Sequence, residues 1–416
     1  MEKLEFIKEK LNKYNQEHLL SFYDELNQEE KENLLNQIDN IDLELVNKIY
    51  EKIINKEEKT TDDEITPIPF MVKDKLIDEQ KKHYEQKGID IIKSGKLAAV
   101  TMAGGQGTRL GHNGPKGTFK LNVKGNKYIF EILCESLKRV KEKYGVYIPW
   151  YIMTSRENND ATVKFFEEQN YFGYDKSYIT FFKQGQLPMV DLNGKILLEE
   201  KSKVREAADG HGGIFEAMHK NNIVEDMKKR NIKWAFIGGV DNILVKMADP
   251  ILIGMAEDKE VLIACKSLAK VTPDEKIGAF CKKDGKPYVI EYTEISDEMA
   301  NAKDENGEYL YGEGHILCNL FNIKALEMLE KEKLEYHSAF KKSNYIDESG
   351  IEVQVSEPNA YKFEAFIFDA FERVDDLLIL RGNREDEFAP VKNLTGIDSA
   401  ESATKLYNDW CERYNI

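Results

Sequence analysis

Disulfide and zinc frameworks are the first things this sequence lacks the residues for. Its five cysteines, Cys134, Cys265, Cys281, Cys318 and Cys411, are odd in number and include no C-x-x-C pair. That usage reads as reduced thiols in a cytoplasmic protein. The seven histidines do not cluster at metal-ligand spacing either. Long apolar runs are missing: none approaches the ~18 residues of a membrane span. The opening "MEKLEFIKEKLNKYNQ" alternates charge with single apolar residues, so it has no signal-peptide core. Positive charge is in deficit, with 59 Lys and Arg against 75 Asp and Glu, a balance of −16. An acidic surface argues against non-specific nucleic-acid binding, which rests on neutralising phosphates. It leaves room for one basic pocket, because pocket charge is local.

What is present is a change of texture along the chain. Residues 1 to about 60 read as helices, with Leu4, Ile7, Leu11 and Tyr14 at helical spacing. "LNQEEKENLL" carries an acidic first turn after Asn27, a candidate cap. The polar stretch 54–69 closes with two prolines and reads as a boundary or a surface crossing. From residue 97, "LAAVTMA", "YIPWYIMTS", "YITFFKQ", "WAFIGGVDNIL" and "VLIACKSLA" are candidate strands, with helical patterns between them. That order predicts an α/β domain with a mostly parallel sheet. "GAFCKKDGKPYVIEYTEI" instead predicts a hairpin turning at Asp284-Gly285, a flap on that sheet. The expected domains are a helical segment over 1–66, an α/β domain over 67–393 and a short helical tail over 394–416.

The sharpest local signal is "LAAVTMAGGQGTRLGHNGPKG", residues 97–117. An apolar strand breaks into a glycine-rich turn that holds two cations, Arg109 and Lys116. Missing Cβ atoms let backbone N–H groups approach an anion, so the stretch reads as a phosphate cradle. Arg109 offers a planar fork for phosphate oxygens and Lys116 a compact charge, its direction restrained by Pro115. Two named motifs fail here. A G-x-G-x-x-G starting at Gly105 meets Leu110 at its last glycine, and no acid stands about 20 residues on, where Asn122 and Val123 are found. That excludes a dinucleotide dehydrogenase. The P-loop fails around Gly95-Lys96, with Asp90 in place of its first glycine and Leu97 after the lysine.

"MAGGQGTRLG…PKG" resembles the nucleotide-binding signature of the sugar-nucleotide pyrophosphorylases, specifically the eukaryotic-type UDP-N-acetylglucosamine pyrophosphorylases and their UDP-glucose relatives. Further blocks carry the same resemblance, including "FFKQGQLP" at 181, "DGHGGIFEA" at 209, "VDNILVKMADP" at 240, "IEYTEI" at 290, "FEAFIFDAF" at 363 and "REDEFAPVKN" at 384. It spans roughly residues 18–393. It implies a Rossmann-like nucleotidyltransferase domain with a central, mostly parallel mixed sheet flanked by helices. It also implies the reaction of UTP with a sugar 1-phosphate to give a UDP-sugar and pyrophosphate, by Mg²⁺-assisted in-line attack at the α-phosphate.

Residue by residue, the resemblance implies that Ala103, Gly104 and Gly105 contact uridine and phosphate. Arg109 and Lys116 neutralise the triphosphate, and Gln184 reads uracil with an amide that can donate and accept. Asp241 is the magnesium ligand, at a strand end where α/β sheets bind ligands, and Asp369 is a weaker second ligand. Gly210 and His211 form a turn touching nucleotide and sugar, Glu291 and Tyr292 contact the sugar, and Lys392 pairs with the sugar phosphate. No protein partner, nucleic acid or membrane is implied.

Three departures qualify this. His211 in "DGHGG" and His315 after Gly314 replace asparagines expected where an acetamido sugar is read. N-acetylglucosamine 1-phosphate is the expected substrate, with glucose 1-phosphate or another hexose phosphate as the alternative. Ala365 stands where the family has a phosphate-contacting lysine. Lys362 could replace it on a helix, where positions three apart share a face, but not on a strand. That keeps a catalytically inactive relative open, although Arg109, Lys116, Asp241 and Lys392 argue against it. Finally, only a short helical stretch follows the "KN" block, so the oligomeric arrangements of the family do not carry over.

Overall fold

The structure, a computed structural model, describes residues 2–55 and 63–416. Part of the expected boundary stretch, residues 56–62, lies outside the described residues. Two compact units result. The smaller combines 1–62, 185–213 and 334–366; the larger combines 63–184, 214–333 and 367–416. This differs from the expected division at 66 and 393. The N-terminal helices share a core with two segments far away in sequence, which local periodicity does not reveal.

In the smaller unit the helices Glu2–Lys13, Gln28–Asn40 and Leu43–Ile54 pack by one apolar face each, through Ile7 and Leu11, Leu34 and Ile38, and Val46 and Ile49. Those faces cover Val190, Ile196, Leu198, Val204 and Phe363 from the later segments. Asn27 is the cap expected from sequence: its side chain accepts from Glu30 N–H, while Glu30 accepts from Asn27 N–H. A three-stranded sheet pairs Ala360–Glu364 with His337–Lys341 and Val190–Asp191.

The larger unit is built on an 11-stranded sheet. Its main path runs Met71–Val72, Leu378–Arg381, Ile263–Ala269, Glu313–Asn322, Trp234–Gly239, Leu97–Met102, Trp150–Thr154 and Ile179–Lys183. Along that path only Glu313–Asn322 runs antiparallel to its neighbours. The five strands expected from apolar runs are all present. Leu97–Met102 and Trp150–Thr154 are buried at every position, as parallel strands covered on both faces must be. Ala279–Lys283 and Lys286–Ile290 form the expected hairpin, with Asp284 and Gly285 both at positive φ. The pattern over 214–230 is broken into the helices Ile214–Lys220 and Ile223–Lys229, because Asn222 adopts a left-handed conformation. The C-terminal helix, Ala400–Tyr414, buries Ala403, Tyr407 and Cys411 in the core of this unit.

Candidate active site

Four neighbouring parallel strands of the larger unit end on one edge. Met102 pairs with Gly239 on one side and Met153 on the other, and Thr154 pairs with Lys183. The residues that follow therefore leave the sheet side by side: the glycine loop from Ala103, Asp241 after Gly239, the turn from Ser155, and Gln184. Topology alone brings these groups together, at the strand ends where α/β sheets hold ligands.

The glycine loop is shaped by short-range bonds. Gly107 N–H donates to Gly114 O at 2.9 Å and Lys116 N–H to Gly105 O at 3.0 Å, folding 105–116 back on itself. His112 pins the fold, its Nε2 lying 2.7 Å from Thr118 Oγ1, which donates to Pro115 O at 2.8 Å. Bare backbone is required at three points. A Cβ on Gly104 would collide with the Gln184 carboxamide, one on Gly107 with His112, and one on Gly117 with the Phe130 ring. The loop leads into two short 3₁₀ turns, Thr108–Leu110 and Lys116–Thr118, and the α-helix begins only at Ile129. The cradle is thus made by the loop itself and not by a helix N-terminus.

Two asparagines that sequence reasoning missed hold this edge. Asn158 is buried, and its Nδ2 donates to Ala103 O at 3.0 Å and Gly105 O at 3.3 Å. It is fixed in turn by Ser155 N–H donating to its Oδ1 and by its own N–H donating to Ser155 Oγ. That three-residue spacing is a cap-like pattern and was legible in "TSREN". Asn242 is the second. Its Nδ2 donates to Glu387 O at 2.7 Å and its Oδ1 accepts from Ala389 N–H at 2.9 Å, while Val391 N–H donates to Asp241 O at 2.9 Å. Asp241 and the segment leading to Lys392 are thereby one piece. No local signal marks a contact between residues 145 apart.

Charge converges on the same edge. Lys116 Nζ lies 4.0 Å from Asp241 Oδ2, and its side chain is 16% exposed. Burial pushes the Lys116 ammonium below the ordinary lysine range; Asp241 opposes this, and Lys392 and Arg109 add to it. Lys116 therefore feels Asp241, Lys392 and Arg109. Lys392 is held by Asp398, 3.0 Å away, and Arg109 is exposed. An anion placed here would join Asp241 in offsetting the burial of Lys116 and the repulsion from its two neighbouring cations.

Glu291 follows the hairpin, and its Oε1 lies 3.1 Å from where a Cβ on Gly278 would stand; Gly278 O accepts from His315 N–H at 2.8 Å. Tyr292 is 43% exposed beside it. The His315 ring is packed edge-on against Phe280, Phe368 and Phe371, with Nε2 2.9 Å from Asn319 Oδ1. These contacts build it into the core of its strand rather than display it on a loop. Asp369 is buried in the turn Ile367–Arg373. Behind burial itself, its charge joins those of Glu294 and Glu372 in pushing the Tyr288 phenol up, so the structure places it with the hairpin.

Gly210 and His211 belong to the smaller unit. Gly212 N–H donates to Ala365 O and Ala365 N–H to Asp209 O, both at 2.8 Å, and the His211 ring lies 5.4 Å from Phe366. Lys362 lies on a strand, and its Nζ pairs with Glu364, two residues on and on the same face, at 2.6 Å. The condition under which it would share a face with Ala365 is therefore not met.

Among the described residues no three His, Cys, Asp or Glu side chains gather as a metal cage. Asp241, partly exposed at a strand end, fits an ion that takes one carboxylate and completes its shell with phosphate oxygens and water.

A model of the UTP–glucose-1-phosphate uridylyltransferase family matches residues 43–407. The chain belongs to that family. It is 37% identical to the UDP-N-acetylglucosamine pyrophosphorylase of Saccharomyces cerevisiae, over 97% of this chain and 87% of that protein. It is 35% identical to UDP-N-acetylglucosamine diphosphorylase 2 of Arabidopsis thaliana, over 96% and 82%. Its structure is similar to the uridine diphosphate N-acetylglucosamine pyrophosphorylase of Trypanosoma brucei crystallised with an inhibitor, with a TM-score of 0.85 and 28% identity over 100% of this chain and 86% of that one. UDP-glucose pyrophosphorylase structures from Leishmania major, at 16% identity and a TM-score of 0.65, share the fold. No helix among the described residues is long and apolar enough to cross a membrane.

Proposed function

We propose that this family member transfers the uridylyl group of UTP to N-acetylglucosamine 1-phosphate. A phosphate oxygen of the sugar 1-phosphate attacks the α-phosphorus in line. The new P–O bond forms as the bond to the β-phosphate oxygen breaks, and pyrophosphate leaves. No covalent enzyme intermediate is needed, so catalysis is positioning and charge stabilisation. The observation that carries this reading is the convergence of Lys116, Asp241, Lys392 and Arg109 on the edge that also carries the glycine loop.

In this account the backbone of Ala103–Gly105 and Gln184 hold the uridine end. Arg109 and Lys116 face the triphosphate, where a phosphate would offset the burial that disfavours the Lys116 charge. Lys392 binds the sugar phosphate, and Glu291 and Tyr292 take sugar hydroxyls. Chemistry in this family is metal-assisted. We assign Mg²⁺ held by Asp241, which would draw charge from the phosphate oxygens it touches. The acetamido sugar is favoured by the names of relatives that match nearly the whole chain. Five buried, unbridged cysteines support a reducing, cytoplasmic setting.

The test is ³¹P NMR of the purified chain with UTP, Mg²⁺ and N-acetylglucosamine 1-phosphate. Pyrophosphate and UDP-N-acetylglucosamine resonances are expected to appear together. Absence of both would mean a catalytically inactive relative.

A further inference from the structure

Just past Asp241 and Asn242 the chain runs along the wall of a cavity of about 470 Å³, lined by Ile243–Ile251 and by Trp410 of the C-terminal helix. That volume lies in the range that holds small ligands. None of the residues assigned above to nucleotide or sugar lines it. We propose that this cavity is a second binding site, for a small organic anion with a flat apolar body.

Its charges do not balance. On one side lies a buried cluster in which Lys266 pairs with both Asp249 and Glu387, and Lys73 reaches the same two carboxylates at 2.8 and 3.3 Å. Lys246, on the cavity wall, is the third lysine, 3.7 Å from Glu387, a carboxylate already shared by the other two. Three ammonium groups thus face two carboxylates. Burial holds the Lys246 ammonium below the ordinary lysine range, with Glu387 only partly opposing it. Arg139 and Lys143 add two cations to the wall, facing Glu85 and the terminal carboxylate of Ile416, so the unbalanced charge lies with the lysine cluster. The Arg139 guanidinium sits 5.4 Å from the centre of the Trp410 ring. The buried Nε1–H of Trp410 has no hydrogen-bond partner.

Lys246, on the wall with only a shared carboxylate 3.7 Å away, calls for a carboxylate or another oxyanion. The remaining wall is apolar, with Leu244, Met247 and Val140, which suits a flat hydrocarbon body stacked by the indole. The wall is also placed to matter. Its loop begins at Asn242, which ties Asp241 to the segment leading to Lys392, so an occupant touches the loop that sets both groups.

The experiment is calorimetric titration of the full chain with 1-naphthylacetate and with its neutral analogue 1-naphthylacetamide, each with and without saturating UTP and Mg²⁺. One-site binding of the carboxylate is expected, at least ten-fold tighter than the amide, and it persists with UTP present. Arg139→Gln and Lys246→Gln each weaken the carboxylate at least ten-fold. Equal binding of acid and amide, no saturation up to millimolar probe, displacement by UTP, or unchanged affinity in folded Arg139→Gln and Lys246→Gln would each overturn the proposal. The acid–amide comparison needs no variant. None of these readouts uses turnover, so the site stands or falls apart from the proposed reaction.

Discussion

The glycine loop and the Asp241–Lys392 arm meet at one sheet edge but are built in opposite ways. The loop is wired over short distances: Gly105 to Lys116, Gly107 to Gly114, His112 to Thr118. The arm is wired across the chain, with Asn242 bonded to residues 387 and 389 and Glu387 sunk into a cluster with Lys73, Lys266 and Asp249. The loop keeps its shape by removing side chains; the arm keeps its shape by burying charged ones. A loop made this way tolerates loss of its cation as a structure, whereas the arm does not tolerate loss of a carboxylate.

The largest contrast is expected from Glu387→Gln. Three lysines would then face one carboxylate, and unpairing a buried ion costs about 3–5 kcal/mol. The urea midpoint should fall accordingly, and an unchanged midpoint would remove the arm's charge cluster from the account. Lys116→Met and Asp241→Asn should each lower kcat/KM by about 10²-fold or more. Lys116→Met carries an opposite sign for stability. Because burial lowers this lysine's pKa from 10.5, its charge disfavours the ligand-free fold at neutral pH, and the penalty shrinks as pH rises toward the unfolded value. The variant should therefore have a higher Tm than the parent at pH 7, with the gap narrowing by pH 10. A lower Tm at pH 7 would show that Asp241 outweighs burial.

Asn158→Ala tests the loop's own wiring. It leaves Ser155 N–H and the carbonyls of Ala103 and Gly105 short of partners, a loss of about 1–3 kcal/mol, and should raise KM for UTP several-fold. A change in KM for the sugar phosphate alone would contradict the assignment of the loop to the nucleotide. Asn27→Ala, at the cap of a helix in the smaller unit, should cost about 1 kcal/mol and leave kcat unchanged, which makes it the control for the other four.

The same contrast explains what could be read in the sequence. Strands such as Leu97–Met102 announce themselves because every position is buried. The glycine loop shows because its contacts lie within some ten residues, and the Asp284-Gly285 turn because two positive φ values restrict the residue types. Asn27 was legible as a cap for the same local reason. Asn242 was not, since its partners are 145 and 147 residues away. Nor was the composition of the smaller unit, where Phe363 and Val204 complete a core begun by Ile7 and Leu11. The surroundings of His315 were not legible either, since the three phenylalanines packed on its ring lie 35 to 56 residues away in sequence.

The central claim is that this edge activates UTP toward an acetamido sugar phosphate. Its most direct test is the ratio of kcat/KM for N-acetylglucosamine 1-phosphate to that for glucose 1-phosphate, followed by pyrophosphate release at fixed UTP and Mg²⁺. A ratio well above one is expected. A ratio below one would contradict it and return His211 to the role of a glucose determinant.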